Sequence, residues 1–377
     1  MEKRPGLAAR RKAVGLSQEG LAEALETARS TVARWERGEV APQPATRAPL
    51  AEILQISLDD LDHLLNGDEP EKVHDPVQVG PTEPVGPLHT ERARDRVKQL
   101  LAMERTFGGT RIADLAVDSA RAFERRITDA GVRPGYKSEA HAVAAELFEI
   151  SGWLLVDAAR PTDVDHANSR ALHHAAVAGD HGMEIFVLQN ESMHLCETGR
   201  ATEALYLARG VLDQPLSPRL SAMFHVREAR ALAARGDHES RRVWQRAVAE
   251  FGDGVRDSDP YWVWWLDDEQ MELQKALLLK DLDEHELAIR AFREYLETRP
   301  DSLYCSLTLP NLALSQVLAG AWRDAEGTVR DIVDAADDSH SGRLNVRIVR
   351  LADTVKRSPA APRSLRDAAH ALAVFAG

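Results

Sequence analysis

The sequence predicts an all-α protein: a small N-terminal cluster of short helices, then a proline-rich stretch, then a long array of helical hairpins. Three observations carry this. Of the 377 residues 44% are hydrophobic but only 5% aromatic, and Ala, Leu, Glu and Arg are abundant, the residues that lose least on entering a helix. Val and Ile never gather into the alternating runs of a half-buried strand. From Glu91 onward, helical patterns of about 14–20 residues alternate with short breaks at Gly, Pro or Asp. The boundaries read as 1–66 for the cluster, 67–90 for the proline-rich linker and 91–377 for the array.

Charge divides along the same lines. The net charge of −13 comes from 47 Lys and Arg against 60 Asp and Glu. Residues 1–47 hold nine basic and six acidic side chains, whereas residues 68–377 hold 38 and 50. Phosphate contacts need Lys and Arg, so any nucleic-acid function is confined to the first 47 residues. Two cysteines, Cys196 and Cys305, exclude both a disulfide scaffold and a four-Cys zinc site. The sequence has no run of 18 apolar residues and no apolar leader after Met1, so a cytoplasmic protein without a membrane partner is expected.

Within the cluster, the stretch Leu16 to Glu39, LSQEGLAEALETARSTVARWERGE, is the most informative. Ser17 can cap a helix by accepting one of the amides left free in the first turn. That helix carries Leu21, Ala22 and Leu25 on one face. After a break at Glu26–Thr27, a second helix from about Ala28 to Arg37 turns Val32 and Trp35 inward, and Gly38 supplies a positive-φ stop. Two short helices sharing an apolar seam across a tight turn form a helix-turn-helix. Leu7, Val14, Ile53, Leu58 and Leu61 complete the core, and Ser57 with Asp60 has the form of a capping box.

Over residues 5–66 this pattern resembles the phage-repressor and Cro superfamily, often called XRE-like. The resemblance implies a lambda-repressor-like fold that binds double-stranded operator DNA. Carried across, Gln18 begins the first motif helix and donates to a backbone phosphate, while Arg29, Ser30 and Arg34 lie on the exposed face of the recognition helix. Arg29 and Arg34 are suited to bidentate contacts with guanine. Thr31, Arg37 and the run Arg10, Arg11, Lys12 are placed for phosphates, which position the domain without reading sequence; a solvated face is the other reading of that run. Glu26 departs from the Gly or Asn usual in the turn. Ala28 departs from the usual capping Ser or Thr, a role to which Thr27 could shift.

The linker carries prolines at 70, 76, 81, 84 and 87 and few large apolar residues, a composition that favours extended chain. Beyond it the sequence repeats. Breaks fall at Ala159, Gly199, Gly236, Asp283 and Gly320. Seven residues earlier stands a small residue each time: Gly152, Ser192, Ala229, Ala276, Ala313. Four earlier stand Leu155, Leu195, Leu232, Leu279 and then Gln316. Five later, Ala204, Ala288 and Ala325 recur, with Val164 and Arg241 departing. Small residues in register let antiparallel helices approach closely. Over residues 137–340 this resembles the tetratricopeptide repeat, with helical flanks at 91–131 and 341–376; a generic array of helical hairpins is the alternative.

Such arrays curve into an α-solenoid with a concave ligand-binding face. Nine residues before each break stand Ile150, Asn190, Arg227, Gln274 and Asn311, four of them hydrogen-bonding side chains in one register. In tetratricopeptide domains the Asn at this position often lines the groove; satisfied polar groups inside the solenoid are the bland alternative. Tyr261, Trp262, Trp264 and Trp265 cluster within five residues. On a helix 261, 264 and 265 share one face, with 262 meeting 265. Inter-repeat packing and lining of the groove are both open for them. The adjoining Asp267 and Asp268 suit a cationic or amide-bearing ligand.

Catalytic patterns are thin. His285-Glu286 lacks the second histidine of HExxH, and the adjacent His173 and His174 diverge on a helix. No phosphate-cradling, nucleophile-elbow or dinucleotide motif occurs, so neither an enzyme nor a cofactor is expected. Together, the two segments resemble helix-turn-helix regulators with tetratricopeptide-like sensor domains, a group that includes peptide-pheromone receptors and many actinobacterial proteins. The actinobacterial type is the nearest in composition and in Gly179 to Met193. That resemblance implies a homodimeric transcriptional regulator whose array binds a peptide or small-molecule effector. The alternative is a repeat scaffold that docks a protein partner while the helix-turn-helix tethers it to DNA.

Overall fold

The computed structural model describes the chain apart from residues 1–4, 15, 26, 39, 41, 43, 55, 57–60, 62–64, 66–82, 301, 303, 337–340 and 377, and apart from the side chains of 5, 6, 9, 13, 23, 44, 45, 48, 52, 105–107, 261, 264, 334–336, 375 and 376. The turn residue Glu26, the Ser57–Asp60 capping box, Leu58 and most of the 67–90 linker therefore lie outside the described residues. Two units separate, Met1–Pro81 and Thr82–Gly377.

The first unit contains α1 (Pro5–Ala13), α2 (Gln18–Ala24), α3 (Arg29–Glu36) and α4 (Pro44–Ile53). Ser17 caps α2, its Oγ accepting from the Gly20 amide at 2.9 Å. Ala28 precedes α3 with extended backbone and no side-chain cap, so burial must hold that helix instead. Val32 and Trp35 supply it, packed among Leu7, Val14, Leu21 and Leu50. Gly38 stops the chain at φ 72°.

The second unit is built of helices joined by short turns, and its described residues hold one isolated bridge, in which Val85 pairs in parallel with Val132. Val85 is fully buried, so the end of the proline-rich stretch is docked chain, not free linker. The helices are α5 (Pro87–Phe107), α6 (Gly109–Ala130), α7 (Lys137–Asp157), α8 (Pro161–Ala178), α9 (His181–Glu197), α10 (Ala201–Leu212), α11 (Pro218–Ala234), α12 (Glu239–Gly252), α13 (Asp268–Asp281), α14 (His285–Thr298), α15 (Cys305–Leu318), α16 (Trp322–Ala336), α17 (Gly342–Arg357) and α18 (Arg363–Ala376). Each odd-numbered helix packs against the even-numbered helix that follows it, and successive odd-numbered helices from α5 to α17 stack on one another. This is the arrangement of an α-solenoid.

All five break residues adopt positive φ: Ala159 55°, Gly199 83°, Gly236 73°, Asp283 58° and Gly320 73°. A single left-handed residue reverses the chain and satisfies the last helical carbonyls. The small-residue register explains the close approach. Ser192, Ala229, Ala276 and Ala313 are all buried, and a Cβ added at Gly152 would stand 2.6 Å from Asn168 Oδ1. Val164 still fills its slot in the core, while Arg241 turns outward and Ser240 is buried beside it. The repeat also runs past residue 340: α17 stacks on α15 as the next inner helix, with α18 behind it.

The array then closes on itself, because α17 also reaches α7. Ser341 Oγ donates to Asp157 Oδ1 at 2.6 Å and the Gly342 amide donates to Thr110 Oγ1 at 2.9 Å. A Cβ on Gly342 would lie 2.7 Å from the Ala158 carbonyl oxygen, so this contact admits no side chain.

Ala159 occupies the left-handed region at a cost of roughly 1–2 kcal/mol for an L-residue. Ala159→Gly should therefore raise the unfolding free energy of the helical unit by about 0.5–1 kcal/mol, after the extra chain entropy of glycine is deducted. Urea unfolding followed by circular dichroism reads this directly.

Candidate functional site

Two regions gather the residues singled out by sequence. The first is the exposed side of α3. Arg29, Ser30, Arg34 and Arg37 are exposed there, Thr31 is half-buried, and Lys12 on α1 is exposed. The inward face of α3 is fixed by Val32 and Trp35, so a helical period leaves 29, 30, 34 and 37 turned outward.

Three expected phosphate ligands are engaged within the protein. Arg11 is only 6% exposed; its Nε donates to Glu36 Oε1 at 2.6 Å and its Nη1 to the Leu16 carbonyl. Its place in the basic run suggested a surface role, but the chain returns Glu36 over it and makes it an internal strut. Gln18 Nε2 donates to Glu36 Oε2 at 2.6 Å. Arg10 Nε donates to the Leu54 carbonyl at 2.8 Å. Glu36 thus ties α1, α2 and α3 together and sets the pitch at which α3 is presented. Its signal in the sequence is the one acid of RSTVARWE.

The second region is a cavity of about 350 Å³ inside the helical unit. All five residues of the predicted register (Ile150, Asn190, Arg227, Gln274 and Asn311) line it, together with Trp262 and Trp265. The aromatic run, expected on an α-helix, is a 3-10 helix, Tyr261–Trp265. It follows Pro260 and gives way to α13, which Asp267 caps by accepting from the Gln270 amide at 2.8 Å. Three residues per turn place 262 and 265 on one face, and both reach the cavity. The side chains of Tyr261 and Trp264 lie outside the described residues. Asp267 and Asp268 are exposed and absent from the lining, so they give no reason to expect a cationic ligand.

A hydrogen-bonded chain crosses the stacked inner helices. Arg227 Nη2 on α11 donates to Gln189 Oε1 at 2.8 Å. Gln189 Nε2 donates to Asn190 Oδ1 on the same helix, α9. Asn190 Nδ2 donates to Glu149 Oε1 on α7 at 3.0 Å. Desolvation raises the Glu149 pKa to about 8, with Asn190 opposing the shift. Asn311, in contrast, donates to its own helix, at the Leu307 carbonyl.

At the other end of the lining, Glu197 on α9 receives Arg343 Nη2 at 2.7 Å and Arg347 Nη2 at 3.2 Å from α17. Burial opposes ionisation of Glu197, but the two guanidiniums outweigh it and hold the carboxyl well below its usual range. Below them Arg230 pairs with Asp281 at 2.7 Å and donates to Gln274 Oε1 at 3.0 Å. Arg343 and Arg347 escaped sequence reasoning, although their i, i+4 spacing on one helix face was visible.

Among the described residues no group of three His, Cys, Asp or Glu side chains could hold a metal ion, and no helix is long and apolar enough to cross a membrane. His174 is buried against His141 and Glu124, while His173 is exposed; the two diverge as adjacent helical residues must.

Comparison with known proteins places the first unit. Residues 7–61 match the helix-turn-helix family model. No curated protein and no solved structure matches the chain. The match supports a DNA-binding regulator, in a family that is not one of enzymes.

A carboxyl with a raised folded-state pKa binds its proton more tightly in the native than in the unfolded chain. Stability from Glu149 is therefore fully present below its ordinary pKa and is lost as pH rises through about 8. The melting temperature of the helical unit should decline over this window, and Glu149→Gln, which keeps the Asn190 bond, should flatten the decline. Glu197→Ala leaves two partly buried guanidiniums without their carboxylate and should cost at most about 3–5 kcal/mol in chemical denaturation.

Proposed function

We propose that the chain is a sequence-specific transcriptional regulator in which the first unit reads operator DNA and the helical unit binds an effector. The observation that carries this reading is the pairing of an exposed basic recognition helix with a separate unit built around a cavity of apolar wall and a few placed polar groups. Arg29 and Arg34 are exposed on α3, and a planar guanidinium matches the two acceptors of guanine. Arg37 and Lys12 serve the phosphates, with Ser30 and Thr31 beside them; Gln18 can join by exchanging Glu36 for a phosphate oxygen. Arg11 acts indirectly, through the seating of α3.

One such domain makes few phosphate contacts, so useful affinity calls for two domains on a two-fold operator, and the working species is a homodimer. The array is read as tetratricopeptide-like and of the actinobacterial type. Its cavity of about 350 Å³ is within the range that accepts a small molecule, which supports an effector over a docked protein partner. A ligand that binds one ring geometry better than another shifts the population towards it.

Sites selected from random duplexes supply the operator. On that operator Arg29→Ala should weaken binding by about 1–3 kcal/mol and relax preference at one base position. Equal losses on operator and random DNA would assign Arg29 to phosphate; retention of full affinity and preference would remove α3 as the reading helix.

A further inference from the structure

Among the residues lining the cavity, two side-chain atoms are buried without a hydrogen-bond partner, and they share a corner. Arg343 and Arg347 share Glu197, one carboxylate between two guanidiniums, and Arg230 pairs with Asp281. Arg227 is different. It is 3% exposed, and among the described residues no carboxylate pairs with it. Its Nη2 is spent on the neutral Gln189, and its Nε is buried without a partner. The Trp265 indole lies alongside, 5.4 Å from guanidinium carbon to ring centroid, and its Nε1 is likewise buried without a partner. Both atoms only donate. Burial lowers the Arg227 pKa to about 10, so the guanidinium remains charged at neutral pH.

A buried charge without a counter-ion is strongly unfavourable, and an anion would relieve it here. The other carboxyls of the lining would not repel such a guest. Desolvation favours the neutral form of Glu149, Glu197 is held between two guanidiniums, and Glu146 stands 3.6 Å from Arg94. The remaining wall is apolar and aromatic, with Trp153, Met183, Phe186, Trp262, Leu273 and Leu307. A cavity of about 350 Å³ accommodates one compact molecule.

We infer that the Arg227–Trp265 corner is a receptor for the carboxylate of a small apolar monocarboxylic acid, whose hydrocarbon body fills the aromatic part of the cavity. This rests on the effector reading above and specifies its chemistry. One carboxylate oxygen takes the Arg227 Nε–H and the other the Trp265 Nε1–H, while the guanidinium compensates the charge. An amide lacks the charge and an amine presents the wrong sign.

The test is calorimetric titration of the full chain with octanoate and 4-phenylbutyrate, each beside its primary amide, and with octylamine. The two acids separate an aliphatic from an aromatic body. At least one acid should bind tenfold or more tightly than its amide and than octylamine. Arg227→Met should bring that acid to within about twofold of its amide. Arg227→Lys should keep part of the preference, and Trp265→Phe, which retains a ring but loses the donor, should weaken the acid several-fold while leaving the amide unchanged. Far-UV circular dichroism and amide affinity establish that each variant is folded. Binding by neither acid, equal affinity for acid and amide, or an undiminished acid preference in Arg227→Met would overturn the inference. Operator binding is measured on the same preparations. Sequence-preferring DNA binding without acid preference removes only the receptor, whereas acid preference without sequence-preferring DNA binding removes the regulator reading and leaves the receptor in place.

Discussion

Closure of the inner helices depends on one carboxylate. Glu197, near the end of α9, accepts from both Arg343 and Arg347 of α17, while Ser341 and Gly342 at the start of α17 bind Asp157 and Thr110. An open solenoid would leave these groups on a wet concave face, where such pairs contribute little. Here they are drawn into the lining of a cavity, so their mutual satisfaction becomes a condition of the fold. The arrangement then separates the roles of the lining arginines. Two are consumed in holding the ring and one, Arg227, is left facing the space that the ring encloses.

Local rules made much of this legible in the sequence. The turn inside each hairpin recurs every 37–47 residues and is made by a positive-φ residue, which is why Gly199, Gly236 and Gly320 marked the turns, and why spacing identified Ala159 and Asp283 as well. The polar register followed because the inner helices stack with equivalent residues facing the same space. What escaped was long-range. Ser341 and Asp157 are 184 residues apart, and Arg343 and Glu197 146; a periodic pattern predicts neighbours in an array but not that the array bends far enough to meet its own beginning. The aromatic run failed for the opposite reason. A five-residue segment has too few turns for periodicity to separate an α-helix from a 3-10 helix, and Asp267 starts the next helix before the question can be settled by length. In the N-terminal unit, Arg11 was misread because three consecutive basic residues look like a surface. Its neighbours differ by 100° on a helix, and the middle one turns to Glu36 and the Leu16 carbonyl.

The uneven charge acquires a physical meaning in these terms. The helical unit is acidic in total, yet the charges that line its cavity include Arg227, Arg343 and Arg347. Acidic residues on its outside disfavour indiscriminate contact with nucleic acid, whereas the interior presents donors. The lining sets three acids, Glu146, Glu149 and Glu197, against these three arginines, and burial favours the neutral form of Glu149, so the cavity does not share the acidity of the unit as a whole. The Asp267–Asp268 pair shows the same in miniature: adjacent to the aromatic run in sequence, it is spent on capping a helix and facing solvent.

Every inner helix from α5 to α17 contributes to the cavity wall, so on the effector reading a bound molecule would sit in a space that exists only while the ring is closed. Its binding free energy adds to the closure made by Glu197, because opening the ring would strip contacts from the ligand as well as from the ion pairs. Differential affinity for closed over open geometry is the quantity that can do work on another part of the chain. A ligand held by one hairpin alone would tighten that hairpin and leave the ring indifferent. With the unpaired guanidinium on α11, midway along the array, and the apolar wall on helices to either side, occupancy would on the proposed reading be coupled to closure.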